Sequence, residues 1–153
     1  MFKRNVLGFS VLMSCLALLA CESKGPPDLF MNASRSITLT SADFDNGAPM
    51  AAKHSCQGED LSPALQWSGV PGGTKSLVLM MMDYDAPSPK FALMSFNHWI
   101  LFNIPADKLS LPSGLTIEQA RQLGVSTGTG SMFKKGYFGP CPPLGVHRYF
   151  FHL

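Results

Sequence analysis

The end of this chain carries a proline-rich segment, residues 139–143, followed a few positions later by an aromatic run. Proline fixes the backbone angle φ and lacks an amide hydrogen, so this segment forms neither a helix nor a central strand and must be a stiff loop. The aromatic run favours a strand, in which successive side chains point to opposite faces. His147 and Tyr149 therefore share one face, and Arg148 and Phe150 share the other. The pattern predicts an imidazole and a phenol side by side, next to a rigid wall.

Short apolar segments separated by glycine and proline run through the rest of the chain. Besides the final strand, they predict strands at residues 37–40, 65–67, 76–82 and 98–103. The run at 76–82 is almost continuously apolar, which is typical of a strand covered on both faces, so we expect it to be central and to end at Asp83. Thr116 and Gln119 have the spacing of a capping box and predict one or two helical turns over 116–123. The pattern indicates a mainly β domain with few short helices.

Residues 1–20 have the features of a targeting segment. Lys3 and Arg4 give it a positive start, and an apolar run too short to cross a bilayer comfortably follows. The sequence at 18–21, Leu-Leu-Ala-Cys, resembles a bacterial lipobox, so we expect a lipoprotein signal peptide that is cleaved before a lipidated Cys21. The alternatives are an ordinary secretory signal cleaved nearby and an uncleaved anchor. Lipidation would place the protein in the cell envelope, on the periplasmic side of a bacterial membrane.

The next segment, residues 21–35, is short, polar and interrupted by two prolines, as expected of a tether between an anchor and a folded domain. The whole chain has a formal charge of +2, and removal of Lys3 and Arg4 with the signal leaves a nearly neutral protein. A neutral chain without basic runs has no electrostatic footprint for nucleic acid and no polybasic patch for a membrane surface. The predicted attachment to the membrane is therefore the N-terminal lipid alone.

Further motifs accompany the proline-rich segment and its strand. They are Asp83-Tyr84-Asp85-Ala86-Pro87, His98-Trp99, and Cys56-Gln57-Gly58 followed by Leu61-Ser62-Pro63-Ala64-Leu65-Gln66-Trp67. Present together and in this order, they resemble the signature of the phosphatidylethanolamine-binding protein family, in its bacterial branch, over residues 37–153. The resemblance implies an antiparallel β-sheet fold for a domain over residues 36–153. It also implies a further strand and a helix beyond that range, so we expect this domain to be incomplete at its C-terminus.

What is known of this family implies a small cavity that binds phosphate-type anions and phospholipid head groups. Matched motif by motif, the residues that would contact the anion are Asp83, His98, His147 and Tyr149. The walls would be Pro87, Pro142 and Pro143. Imidazole and phenol groups supply hydrogen-bond donors, and a carboxylate favours a protonated imidazole beside it, so the set suits an anion. Taken singly, each residue has an ordinary structural interpretation, and their joint occurrence is what favours a shared site.

The sequence departs from the family pattern at two positions. Tyr84 stands where proline is usual, which implies a less rigid loop. Asn97 stands where an aromatic residue commonly precedes the histidine, which implies the loss of one wall. Arg148 faces away from the predicted site, so we expect it to have a structural role as a partner of a carboxylate such as Asp85.

Two of the four cysteines have roles in the N-terminal segment, since Cys15 lies in the signal and Cys21 is the expected lipid site. The remaining pair is Cys56 and Cys141. An even pair in an exported protein readily forms a disulfide, and the resemblance brings the two motifs that contain these cysteines close together. We therefore expect a Cys56–Cys141 bridge, with two buried free thiols as the alternative.

Three other functions compete with anion binding. Two histidines and an aspartate are a known ligand set for transition metals, but no closely spaced histidine pair supports a metal site. An enzyme is not expected, because the sequence has no nucleophile elbow and Cys141 is assigned to a disulfide. No cofactor is expected either. Members of the family are also known to inhibit proteases or kinases and to act in signalling, so an interaction module with an unknown protein partner is the runner-up.

Overall fold

The computed structural model of the chain describes residues 35–153. The predicted signal peptide, the lipid site Cys21 and almost the whole predicted tether fall on residues 1–34 and lie outside the described residues. In the described range, the strands are β1 (Thr38–Ser41), β2 (Leu65–Ser68), β3 (Ser76–Ser88), β4 (Phe91–Pro105), β5 (Ser110–Leu111), β6 (Ser126–Thr127) and β7 (Tyr149–His152). A 3₁₀ turn, Ala52–His54, precedes β2, and a short helix, α1 (Ile117–Gln122), lies between β5 and β6.

Two antiparallel sheets make up the fold. The smaller sheet has the strand order β1-β2-β5, and the larger has the order β6-β4-β3-β7. β3 and β4 form a long hairpin, and β7 pairs with the other side of β3 so that Asp83 lies opposite Tyr149. This arrangement confirms the prediction of a mainly β, antiparallel domain. It also confirms that the apolar strand, β3, is an interior strand of its sheet. The strand is not covered on both faces, however, since Val78 is 48% exposed.

The hydrophobic core is built from both sheets and the helix. Its buried members are Leu65, Trp67, Leu77, Leu79, Met81, Trp99, Leu101, Ile104, Leu111, Leu115, Ala120 and Val125. Full burial of one large aliphatic side chain contributes about 1.5–3 kcal/mol to folding. On β3 the core residues alternate, and Asp83 continues the face that carries Leu79 and Met81, because the pairing with β7 is regular through this stretch. A carboxylate therefore points to the core side of the sheet, where it requires partners.

β3 does not end at Asp83, so that prediction is wrong: the strand continues to Ser88. The sequence did not indicate this continuation, because polar residues and Pro87 interrupt the apolar pattern after Met82. The pairing with β4 shifts register twice between Asp83 and Pro87, and proline is tolerated where a ladder is irregular. Tyr84 consequently lies in a strand rather than in a loop, where it is buried and packs against the ring of Phe150.

The short helix confirms the predicted capping box. The hydroxyl oxygen of Thr116 accepts a hydrogen bond from the Gln119 amide at 3.2 Å, and the side-chain oxygen of Gln119 accepts one from the Thr116 amide at 2.9 Å. These bonds satisfy amide groups that the first turn of a helix leaves without intrahelical partners. No helix in the described part of the chain has the length and apolarity needed to cross a membrane.

Candidate functional site

The buried carboxylate of Asp83 is the centre of the candidate site. Its Oδ1 accepts a hydrogen bond from the backbone amide of Asp85 at 2.7 Å. Its Oδ2 lies 2.7 Å from Nδ1 of His147. Such partners are needed because an isolated carboxylate is costly to remove from water.

Both ring nitrogens of His147 face oxygen atoms, and the imidazole is fully buried. Nδ1 contacts Asp83, and Nε2 lies 3.1 Å from the carbonyl oxygen of Leu144. Carbonyl and carboxylate oxygens both accept hydrogen bonds, so either ring nitrogen of His147 can donate to the oxygen that it faces. The contact with Asp83 thus engages the carboxylate and brings no net positive charge to the site.

His98 reaches the site from an irregular position in β4. Two consecutive residues of β3 pair with Trp99 and Asn97, so His98 is the extra residue of a β-bulge. Bulges redirect side chains and are frequent beside functional sites. The Nδ1–H of His98 donates to the carbonyl oxygen of Phe138 at 2.7 Å, and Nε2 faces Oδ2 of Asp83 at 4.0 Å.

Aromatic rings surround the His98 imidazole. Phe138 stacks on it with ring centroids 5.6 Å apart, and the centroid of Phe96 lies at 4.8 Å. Burial lowers the pKa of His98, and this effect outweighs the Phe138 carbonyl and the Asp83 carboxylate, which act in the opposite direction. Neutral His98 is therefore favoured near pH 7. The motifs in the sequence do not indicate these two phenylalanines, and the one signal for Phe138 is its position directly before the proline-rich segment.

Tyr149 completes the cluster from β7. Its ring meets the His98 ring edge-on with centroids 5.1 Å apart. Its hydroxyl oxygen is buried and has no hydrogen-bond partner among residues 35–153. Burial, together with the carboxylates of Asp83 and Asp85, raises the pKa of the Tyr149 phenol, so the hydroxyl keeps its proton. An unsatisfied buried donor costs roughly 1–3 kcal/mol, which makes this hydroxyl a natural contact for a bound group.

Arg148 has the structural role that the sequence predicted. Its guanidinium binds the buried carboxylate of Asp85 through two bonds, Nη2 to Oδ1 at 2.7 Å and Nε to Oδ2 at 2.9 Å. The backbone amide of Arg148 adds a third bond to Oδ2 at 2.8 Å. These hydrogen bonds lower the pKa of Asp85 despite its burial. The interaction fixes the chain one residue from both His147 and Tyr149.

The Cys56–Cys141 disulfide is present, as predicted, with Cα atoms 5.5 Å apart. It attaches the proline-rich segment to the loop after the 3₁₀ turn. Two hydrogen bonds from backbone amides reinforce the attachment: the Cys56 amide donates to the Pro140 carbonyl at 3.1 Å, and the Gly139 amide donates to the Asp60 side-chain Oδ1 at 2.7 Å. A side chain at position 139 would collide with the carbonyl oxygen of His54, so glycine is required there. The segment that leads into His147 is thus held at its beginning.

The three prolines predicted as walls differ in their surroundings. Pro87 is half-buried within β3, Pro142 is half-buried in the loop, and Pro143 is exposed. Contact of these prolines with a ligand stays a prediction.

Two surface depressions lie apart from the four converging side chains. Their volumes are about 230 and 330 Å³, and they share Ile117 and Lys135 in their linings. Neither is lined by Asp83, His98, His147 or Tyr149. We place the candidate site at the four side chains because they combine burial, close polar contacts and an unsatisfied donor, whereas these depressions are open to solvent. No group of three or more histidine, cysteine, aspartate or glutamate side chains within residues 35–153 is arranged to hold a metal ion.

Fold and site together define a class of small two-sheet β domains in which a buried aspartate, two histidines and a tyrosine meet at the border of the core. Within that class, the chain belongs to the phosphatidylethanolamine-binding protein family, whose sequence model matches residues 40–153. The family resemblance indicated by the motifs is therefore confirmed.

Proteins with similar sequences or structures support this family assignment. A UPF0098 protein of Methanothermobacter thermautotrophicus is 40% identical over 117 residues, which are 76% of this chain and 74% of that protein. The crystal structure of a phosphatidylethanolamine-binding protein homologue from Chlamydia trachomatis has a TM-score of 0.66 at 36% identity and covers 77% of this chain and 73% of that one. Escherichia coli YbcL, described as a new member of the mammalian family, has a TM-score of 0.66 at 33% identity, covering 76% and 74%.

Proposed function

We propose that this protein is an exported, lipid-anchored binding protein whose buried centre takes phosphate-type anions, such as the head groups of phospholipids. The residues that form the anion site are Asp83, His98, His147 and Tyr149, with His147 holding the Asp83 carboxylate in place. The observation that carries this proposal is the buried Tyr149 hydroxyl without a hydrogen-bond partner in the described chain, on a ring that packs against the His98 imidazole. A phosphate oxygen accepts from such a donor.

Binding without turnover fits the chemistry of the site. Cys141 is the cysteine nearest in sequence to the histidine pair, and its sulfur is committed to the disulfide. The carboxylate of Asp83 is engaged by His147 and by the Asp85 amide. Neither group has the free, activated form that nucleophilic catalysis requires.

Export is supported by the signal-like N-terminus and by the disulfide. Disulfides persist in oxidising compartments such as the periplasm and are rare in the reducing cytosol. Cys21, at the end of the lipobox-like sequence, is the proposed site of lipid attachment. Labelled palmitate should be incorporated into the wild-type protein and not into the Cys21→Ala variant. Equal labelling of both proteins, or labelling of neither, would remove this part of the proposal.

Calorimetric titration of the purified protein with inorganic phosphate and with O-phosphorylethanolamine tests the binding function. Both probes should bind the wild type, and both should lose at least about tenfold in affinity in Tyr149→Phe, since a hydrogen bond to a charged group is worth about 1.5–3 kcal/mol. Lys135→Ala is the matched control, because Lys135 lines both open depressions and is absent from the buried centre. Loss of binding in Lys135→Ala with full binding in Tyr149→Phe would move the site to those depressions.

A further inference from the structure

Hydrogen-bond roles around the Asp83 centre are unequal. The Nδ1 of His98 holds its proton for the carbonyl oxygen of Phe138, so Nε2 of the neutral ring is a bare acceptor. That nitrogen faces Oδ2 of Asp83, a second acceptor, across 4.0 Å. Two acceptors facing each other do not satisfy one another, and a group placed between them must supply a hydrogen.

Few donors of the cluster remain uncommitted. Both ring nitrogens of His147 are directed at oxygens, one on Asp83 and one on Leu144. Within this cluster, the hydroxyl of Tyr149 is a buried donor that lacks a partner among residues 35–153. A bound group must therefore donate to one or both facing acceptors and accept from the phenol.

The charged groups that contact the centre are either paired or negative. Asp83 is paired with His147, and Asp85 is paired with Arg148. Asp60 adds a further negative charge that acts on His98. A buried environment without net positive charge disfavours a doubly charged anion, because the desolvation cost rises with charge.

We propose, as a refinement that rests on the proposed function, that the site takes phosphate in its protonated, singly charged form and discriminates against sulfate. A P–OH hydrogen lies between the facing acceptors on Asp83 and His98 and is donated to one of them, and an unprotonated phosphate oxygen accepts from Tyr149. Sulfate has the same shape but carries no hydrogen at neutral pH, so it meets two acceptors with oxygen atoms alone. Among phospholipid head groups, the same requirement narrows the ligands to phosphomonoesters, as in phosphatidic acid, and disfavours phosphodiesters.

Calorimetry at pH 6.5 with the full chain and three probes tests this selectivity. The probes are sodium phosphate, sodium sulfate and ethanolamine hydrochloride, which carries donors without an anion. Phosphate should bind at least about tenfold more tightly than either of the others, because a site with buried polar groups rejects an analogue that lacks their partner. If sulfate or ethanolamine binds as tightly as phosphate, the refinement is wrong, and the site binds anions or cations without requiring a P–OH group. If phosphate does not bind, the proposed function itself is wrong.

Two variants separate selectivity from affinity. Asp83→Asn puts an N–H group in place of one acceptor and should narrow the preference for phosphate over sulfate by about tenfold or more. Tyr149→Phe should weaken phosphate without removing the preference, and it stays informative where Asp83→Asn fails to fold. An unchanged preference in folded Asp83→Asn, or its loss in Tyr149→Phe, would contradict the assigned roles of these two residues.

Discussion

Asp83 and His147 form a buried pair through a 2.7 Å contact between Oδ2 and Nδ1, although 64 residues separate them in the chain. The carboxylate lies within β3, and the imidazole lies just before β7. Because both groups are withdrawn from water, each needs the other. The pair thus attaches the last strand to the middle of the sheet and sets the position of the neighbouring Tyr149.

Substitution of His147 by alanine should destabilise the fold. It leaves Asp83 as a buried charge without its main partner, for which we expect a cost of about 3 kcal/mol in urea denaturation. The double variant Asp83→Ala/His147→Ala should cost clearly less than the sum of the two single variants, since removing both partners leaves no orphaned charge. Additive costs would show that the two residues are not coupled.

Tyr149→Phe should leave the free energy of unfolding unchanged or raise it by up to about 1 kcal/mol, because the hydroxyl that it removes is buried without a partner. Tyr137→Phe is the matched control, since the Tyr137 hydroxyl donates to the His54 carbonyl at 2.7 Å. That control should lose about 1 kcal/mol. The reverse order of stabilities would show that the Tyr149 hydroxyl is satisfied in the protein.

The Arg148–Asp85 interaction should make stability depend on pH in a defined direction. The pKa of Asp85 is lowered in the folded state by the hydrogen bonds from Arg148, from an ordinary value of 3.8. The interaction therefore contributes fully above pH 3.8 and is lost as the pH falls through the lowered pKa.

Arg148→Met should accordingly be less stable than the wild type at pH 7, by about 1–3 kcal/mol, and the difference should shrink at pH 3. Arg148→Lys keeps the charge but not the two-bond geometry, so its stability at pH 7 should fall between the two. Urea midpoints at both pH values measure these differences. If the stability difference between Arg148→Met and the wild type is the same at pH 7 and pH 3, the Arg148–Asp85 interaction is not its cause.

Reduction of the Cys56–Cys141 disulfide should lower the free energy of unfolding by about 2–4 kcal/mol, because the bridge closes a long loop with a sequence separation of 85. Urea denaturation with and without a phosphine reductant measures the effect. The Cys56→Ser/Cys141→Ser variant should show the lower stability under both conditions. A wild type that is insensitive to the reductant while its thiols become reactive would mean that the backbone bonds to Pro140 and Asp60 suffice.

Much of the site could be predicted from the sequence. Strand alternation grouped His147 with Tyr149, and both side chains do lie at the Asp83–His98 cluster. The strand itself begins only at Tyr149, so His147 and Arg148 precede it, contrary to the prediction. The family resemblance added Asp83 and His98 from distant motifs. Cysteine counting with the same resemblance gave the disulfide.

The length of β3 and the surroundings of His98 could not be predicted, because they depend on contacts between residues that are far apart in the sequence. β3 can continue past Asp83 because the carboxylates inside it have distant partners. Asp83 contacts His147, 64 residues later, and Asp85 contacts Arg148, 63 residues later. The orientation of His98 comes from a bulge, and period-2 reasoning fails where a strand gains an extra residue. The aromatic neighbours Phe96 and Phe138 follow from that bulge and from the folding of the proline-rich segment onto β4.

The most direct test of the central claim is nitrogen NMR of the histidine rings during titration with inorganic phosphate. The chain has four histidines, and His54, whose Nδ1 is bonded to the Leu61 carbonyl at 2.8 Å, serves as an internal reference. If phosphate binds between His98 and Asp83, the Nε2 signal of His98 should shift with saturating phosphate while the signals of His54 stay in place. Saturable binding that leaves the His98 signal unmoved would contradict the assignment of the site.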